Sequence, residues 1–108
     1  MEQLKIIFFM LIALAVLLEV AGDILFKKWS IGNKNILLVL GLIIYFIGTI
    51  FWAFSLKYEF LSKAISIFTI LNLVIVVLVG VLLFNEKLSV TNEIGIILGV
   101  ISIILIEV

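Results

Sequence analysis

Long apolar runs separated by short polar breaks divide the sequence into four segments. Each run approaches the roughly 20 mainly apolar residues that an α-helix needs to cross a bilayer. The predicted spans cover about residues 4–29, 36–56, 60–84 and 88–106. The breaks between them, IGNKN, LKYEF and NEKLSVTNE, are polar and carry lysine. The pattern predicts an all-α membrane protein with a single four-helix transmembrane domain over residues 1–108.

The breaks are short, so each span must run antiparallel to the next. The chain has no proline, and no span therefore carries a proline kink. The first apolar run, which starts at Ile6 near the N-terminus, resembles the apolar region of a signal peptide. It continues past Glu19 to Phe26, however, and three further spans follow, so we interpret it as the first span.

Composition supports a membrane location and narrows the chemistry. Of the 108 residues, 67% are hydrophobic and 13% are charged, whereas a soluble domain is about half apolar. Seven lysines balance seven acids, so nucleic acid is not expected as a partner. The chain contains no Cys, His or Arg, which excludes disulfides, zinc sites and a Ser-His-Asp triad. We expect no enzyme activity, no cofactor and no metal.

Lysine bias between the two membrane faces normally fixes the direction of insertion. Here the two faces are nearly balanced, with Lys5, Lys57 and Lys63 against Lys27, Lys28, Lys34 and Lys87. The balance favours dual topology, in which copies insert both ways and pair as an antiparallel homodimer. One fixed topology with a weak signal is the alternative.

Glu19 is an acid embedded in the first span. It lies about 9 Å inside the nearer end of an apolar core taken as Ile6 to Leu25, at 1.5 Å rise per residue. An ionised carboxylate facing lipid there costs about 3 kcal/mol or more, so the side chain should face protein or a wet cavity, or hold a proton. Such a carboxyl can exchange a proton for a cation. The alternative is a buried Glu whose hydrogen bonds hold helices together.

Asp23 follows Glu19 by one helical turn and shares its face. Ala15 and Gly22 lie near the same stripe, where small side chains let another helix or a ligand approach. Asp23 also precedes Lys27 by four residues, the favourable order for an ion pair. We favour that pair near the headgroups, with a direct role for Asp23 beside Glu19 as the alternative.

The second span has one face of small and aromatic residues at helical spacing. Its members are Gly41, Tyr45, Gly48, Trp52 and Ser55. Aromatic rings attract cations, so Tyr45, in mid-span, is expected to line a cation site. Trp52 lies near the end of the span, where an interfacial aromatic belt is the simpler interpretation.

The third span carries a polar stripe of Ser62, Ser66, Thr69 and Asn72. Asn72 lies near the bilayer centre, where its amide requires interhelical hydrogen bonds. We expect Asn72, its neighbour Phe68 and Thr69 to line the substrate path. The alternatives are hydroxyls bonded back to their own helix and an Asn72 that only locks helices together.

The fourth span contains a G-x-x-x-G motif formed by Gly95 and Gly99, with Ser102 nearby. In an apolar helix this spacing suits close helix pairing. We expect Gly95, Gly99 and Ser102 to form the interface between two copies of the chain.

Two stretches, LLEVAGDILFKK in the first span and FNEKLS before the fourth, resemble the small multidrug resistance family within the drug/metabolite transporter superfamily. The resemblance covers nearly the whole chain. It implies an antiparallel homodimer in a prokaryotic inner membrane that exchanges protons for small cationic or amphipathic solutes, such as quaternary ammonium or guanidinium compounds.

The resemblance also implies roles for particular residues. In that family one first-helix Glu from each subunit binds proton or substrate in turn, and this Glu falls on Glu19. The family's following Gly and Lys fall on Gly22 and Lys27, and its second-helix Tyr falls on Tyr45. Its fourth helix pairs the two subunits, which suits the G-x-x-x-G of the fourth span.

The chain departs from that family mainly in the third span. Phe68 stands where its exporters usually carry Trp, and the bending glycines fall on Ile70 and Asn72. Asp23 occupies a position that is usually uncharged. AISIFTILNLVIVVLVGVLLFNEKLS also resembles the closing half of larger drug/metabolite transporters, and AGDILFKK resembles four-helix subunits that flip lipid-linked aminoarabinose.

The sequence thus predicts a proton-coupled antiporter that exports small cationic solutes by alternating access, with a central Glu19 pair. One alternative is a lipid-carrier or small-molecule flippase subunit of the drug/metabolite transporter type. The other is a non-transporting membrane assembly protein held together by Glu19 and Asn72.

Overall fold

The computed structural model describes residues 2–107, which form four α-helices and no strand. The helices are α1 Glu2–Gly32, α2 Asn35–Ser55, α3 Leu61–Leu83 and α4 Val90–Glu107. The predicted all-α class with four helices is confirmed. The first helix is longer than its predicted span at both ends, and the fourth begins later than its predicted span.

Three of the described helices, α1, α2 and α3, are long and apolar enough to cross a membrane. At 1.5 Å per residue, the 21 residues of α2 and the 23 of α3 extend roughly 30–35 Å, close to the hydrocarbon thickness. The 31 residues of α1 extend about 46 Å, so this helix continues beyond the hydrocarbon layer. The fourth helix is the shortest, with 18 residues.

The surface of the chain is apolar, as contact with lipid requires. Phe46, Leu82 and Leu105 are 68%, 73% and 71% exposed. In water, such exposed apolar side chains would lose the hydrophobic stabilisation that burial provides. Burial in α1 follows one stripe, whose members are Phe8, Ile12, Ala15, Val16, Glu19, Val20 and Gly22. A carboxyl group therefore lies within the otherwise apolar buried face of α1.

Contacts between Cα positions divide the chain after Leu61 into two compact units. The first unit contains α1 and α2, which pack against each other. They run antiparallel, because Gly48 lies beside Ala15 whereas Gly41 lies beside Gly22. The second unit contains α3 and α4, joined by residues 84–89.

Two asparagines with left-handed backbone lie just beyond helix ends. Asn33 follows α1 with φ 58°, and Asn85 lies beyond the end of α3 with φ 53°. Asparagine adopts this region more readily than other residues with a side chain. The Asn33 N–H donates to the Trp29 carbonyl at 2.7 Å, and the Trp29 indole N–H donates to the Asn35 side-chain oxygen at 3.3 Å. These hydrogen bonds stabilise the tight turn between α1 and α2.

The first turn of α4 is capped by Ser89. The Ser89 hydroxyl accepts the backbone N–H of Asn92 at 3.1 Å, and its carbonyl accepts the N–H of Glu93 at 3.1 Å. The hydroxyl thus satisfies an amide that has no partner within the helix. Glu93 places a negative charge in the first turn, where the helix dipole favours it.

Ser89→Ala should destabilise the chain by about 1 kcal/mol, because the Asn92 N–H loses its acceptor. The measurement is the midpoint of thermal unfolding in detergent. Ser89→Asp keeps an acceptor at the cap and is expected to retain the wild-type midpoint. Equal midpoints for the alanine variant and wild type would show that the cap does not stabilise α4.

Candidate functional site

Glycines on α2 bring this helix close to the turn of α1 that carries Glu19. A Cβ built on Gly48 would lie 3.1 Å from the Glu19 Cγ, 3.1 Å from the Leu18 Cβ and 3.3 Å from the Ala15 carbonyl oxygen. Only a residue without a side chain fits this space undistorted. The close approach fixes the Glu19 stem against α2.

A second close contact lies one turn further along α1. A Cβ on Gly22 would lie 2.9 Å from the Tyr45 Cδ2 and 3.2 Å from the Gly41 carbonyl oxygen. A Cβ on Gly41 would lie 2.7 Å from the Phe26 ring and 3.3 Å from the Gly22 carbonyl oxygen. The two backbones therefore meet directly, as small residues allow in membrane helix pairs.

Glu19 is buried in this contact between α1 and α2, which we call the seam. It is 7% exposed, and its Oε2 atom has no hydrogen-bond partner among the residues that the structure describes. The Tyr45 hydroxyl is within hydrogen-bonding reach of the Glu19 carboxyl group. One side of the carboxyl thus has a polar neighbour in the chain, and Oε2 remains available for a proton or another ligand.

Tyr45 lies next to both acids of α1. Its hydroxyl is close enough to Glu19 and Asp23 for their charges to act on it, and the two carboxyls also interact with each other. The Tyr45 ring packs beside Phe26, with ring centroids 5.8 Å apart and planes tilted by 37°. Glu19, Asp23 and Tyr45 form one polar cluster, which we call the acid cluster.

The acid cluster suits cation or proton binding. A buried polar atom without a partner costs free energy comparable to a lost hydrogen bond, and more when it is charged. A proton on the Glu19 carboxyl would remove the charge, and a bound cation would neutralise it. Two carboxyl groups and a hydroxyl in one cluster are groups that can bind and release a proton or a cation.

The structure groups four of the predicted lining residues with Glu19. Ala15, Gly22 and Asp23 lie beside it on α1, and Tyr45 faces it from α2. The spacing-based pair between Asp23 and Lys27 stays a prediction. The proposed roles of these residues in binding a solute also stay predictions.

The predicted lining residues of the third span, Phe68, Thr69 and Asn72, lie on α3 in the second unit. The Asn72 Oδ1 atom is buried and has no hydrogen-bond partner within residues 2–107. Ser66, from the same polar stripe, donates its hydroxyl to the Ser62 carbonyl at 2.8 Å. Ser66 therefore follows the alternative interpretation, in which a hydroxyl bonds back to its own helix.

The predicted interface residues Gly95, Gly99 and Ser102 lie on α4. A Cβ on Gly95 would meet no atom within 4 Å, whereas one on Gly99 would lie 3.5 Å from the Ile70 Cγ2. The Ser102 hydroxyl donates to the Leu98 carbonyl at 2.9 Å. Gly95 thus faces open space in the single chain, and Gly99 lies against α3.

Three residues contribute more to the seam than the sequence analysis predicts. The sequence identifies Gly41 and Gly48 only as small members of the Tyr45 face, and Phe26 only as a residue of the first apolar run. The seven-residue spacing of Gly41 and Gly48 was a usable signal, because it places two small residues on one side of a helix two turns apart. That spacing favours close contact with a neighbouring helix.

Comparison with known proteins gave one family match. The model of the EamA-like transporter family matches residues 4–108, nearly the whole chain. No solved structure matches the chain.

Proposed function

The chain belongs to the EamA-like transporter family, and on that premise we propose that it exchanges protons for small cationic solutes at Glu19. Membership makes the chain an integral membrane protein and a transporter of the drug/metabolite type rather than an enzyme. The match confirms the predicted superfamily. Membership of the small multidrug resistance family and a prokaryotic inner membrane stay predictions.

The observation that carries the proposal is the unpartnered Oε2 of the buried Glu19. A transporter helix that only needed rigidity would be more stable with an apolar residue there. A carboxyl that binds a proton in one state and a cation in the next needs an oxygen that is not already hydrogen-bonded within the protein. Competition between the two ligands at one group couples their movements.

Alternating access at this carboxyl requires a path that opens to each membrane face in turn. Two copies of the chain in opposite orientations would make the two faces equivalent by symmetry. The lysine balance of the two faces supports insertion in both directions. In the proposed assembly the Glu19 side chains of an antiparallel homodimer form one central pair.

The open face of α4 supports pairing of two chains. Among residues 2–107, Gly95 has no neighbour within 4 Å of a built Cβ, and the adjacent Ile94 is 52% exposed. Packing between membrane helices relies on such small residues, because lipid provides no hydrophobic drive. A second α4 fits this surface.

Gly95→Leu should weaken dimerisation more than Leu98→Phe. The leucine would fill the open space into which a second α4 is proposed to pack, whereas Leu98 is 58% exposed and is expected to face lipid. Cross-linking in membranes or single-molecule association in vesicles measures the dimer fraction. Equal dimer fractions for the two variants would remove α4 from the interface.

The proposal is tested with protein reconstituted into vesicles that contain a pH-sensitive dye. Inward gradients of guanidinium, tetramethylammonium or butylamine are applied in turn, with protein-free vesicles as the control. Antiport predicts that at least one cation gradient drives protons outward through the protein. Uptake of labelled cation without proton movement, or no uptake of any of the three, would contradict it.

A lipid-carrier or small-molecule flippase subunit is the second candidate. It is favoured by α3, which runs as one helix from Leu61 to Leu83 with Ile70 and Asn72 at the positions of the bending glycines of the small multidrug resistance family. A third helix without those glycines is less suited to a path that changes shape. Flipping of fluorescent lipid by the same vesicles, without cation-driven proton movement, would favour this candidate.

A further inference from the structure

Asp23 is an acid that a single proton-for-cation exchange does not require. It lies one turn along α1 from Glu19, and its charge reaches both Glu19 and the Tyr45 hydroxyl. It is partly buried within the same seam. An acid inside a membrane span is costly, so a second one beside the first indicates a binding demand that one carboxyl does not meet.

We infer that Glu19 and Asp23 together bind a solute with two cationic centres, of the class of a short aliphatic diamine, and that Asp23 determines this preference. The inference rests on the proposed function and names its substrate class. The buried Glu19 carboxyl, whose Oε2 has no hydrogen-bond partner among residues 2–107, takes one ammonium group. Asp23 takes the other.

The spacing of the two carboxyls matches such a solute. Residues four apart on a helix have Cβ atoms about 5–6 Å apart. An extended chain of about four carbon atoms places its terminal nitrogens roughly 6 Å apart, at bond lengths of about 1.5 Å. A diamine of this length can contact both carboxyls at once, whereas a monoamine leaves one of them without a cation.

Aromatic side chains lie beside the two carboxyls. The packed rings of Tyr45 and Phe26 lie alongside, with centroids 5.8 Å apart. Aromatic rings contact methylene groups favourably and attract the adjoining ammonium groups.

The competing assignment is an Asp23 that only neutralises Lys27. In that case Asp23 would not contact the solute, and its replacement would weaken the binding of monoamines and diamines by the same factor. The ratio of the two affinities therefore separates a binding role from a structural one.

The test measures equilibrium binding of 1,4-diaminobutane and butylamine to the full chain in detergent. Wild type is expected to bind the diamine about tenfold or more tightly, the gain from one further charge-assisted hydrogen bond. Asp23→Asn should bring the two affinities to within about twofold of each other, and Asp23→Glu should restore the preference. Glu2→Gln, on the exposed end of the same helix, is the matched control and should keep the wild-type ratio.

An unchanged ratio in Asp23→Asn, or no binding of either amine to wild type, would overturn the inference. Uptake into vesicles separates this inference from the proposed function. Binding with the expected ratio but without uptake would support the inference and contradict transport. Proton-coupled uptake of single-charged cations, with equal ratios in wild type and Asp23→Asn, would support transport and overturn the inference.

Discussion

Glu19→Gln is expected to abolish proton-coupled uptake of cations into vesicles while the chain still folds. Glutamine has nearly the shape of a protonated glutamate, so it fits beside Gly48 and can still hydrogen-bond to Tyr45. It cannot release a proton, and it offers no charge to a cation. Removing one partner of a buried charge pair lowers affinity by about 100-fold or more.

The matched control for this result is Asp23→Asn, one turn along the same helix. It removes a charge from the acid cluster but leaves Glu19 able to titrate, so coupled uptake of a monovalent cation such as guanidinium should fall less. Elution from a sizing column shows that both variants fold and assemble. If Glu19→Gln still couples protons to cations, or if only Asp23→Asn abolishes uptake, Glu19 is not the carboxyl that couples the two.

Gly22→Leu is expected to break the packing of α1 against α2 and lower the thermal midpoint by several degrees. Even a Cβ at this position would lie 2.9 Å from the Tyr45 ring and 3.2 Å from the Gly41 carbonyl oxygen. Backbone cannot move aside as a flexible side chain can. Overpacking of this kind costs about 1–3 kcal/mol or more.

Gly32→Leu is the control for that variant, because a Cβ on Gly32 would meet no atom within 4 Å. Both substitutions replace glycine by leucine on α1. The gain in helix propensity, about 1 kcal/mol at an interior position, is larger at Gly22 than at Gly32, the last residue of the helix, and therefore cannot explain a lower midpoint for Gly22→Leu. The difference between their unfolding midpoints in detergent isolates the steric clash. Equal midpoints would mean that α1 and α2 do not depend on close contact at Gly22.

The four helices were predictable because lipid imposes a simple rule on the sequence. Each crossing segment needs about 20 apolar residues, and the polar breaks mark where the segments end. The same rule explains why the predicted first span is shorter than α1. This helix continues to Gly32 outside the hydrocarbon layer, where polar residues such as Lys28 and Ser30 remain helical and hydropathy carries no information about its end.

The acid cluster was only partly predictable. Helical spacing placed Glu19, Asp23 and Gly22 on one face, since that needs only the period of a single helix. The contact between Glu19 and Tyr45 depends on how α1 and α2 are rotated about their axes. That rotation is set by the fit of Gly41 against Phe26 and of Gly48 against Ala15, which no single-helix pattern specifies.

The hydroxyl groups show a further limit of sequence reasoning. In a membrane helix a serine can face a neighbouring helix or bond to the carbonyl four residues before it, and both uses have the same spacing. Ser66 and Ser102 bond back to Ser62 and Leu98. Only the conformation of each side chain distinguishes the two uses.

Proton release on cation binding tests the central claim most directly, because it needs neither vesicles nor a gradient. Guanidinium, butylamine or 1,4-diaminobutane is added to weakly buffered, detergent-solubilised protein at a pH where Glu19 is protonated, and a pH indicator records released protons. Wild type should release protons on binding at least one of these cations, and Glu19→Gln should release none. Cation binding without proton release, or equal release by both proteins, would contradict the account.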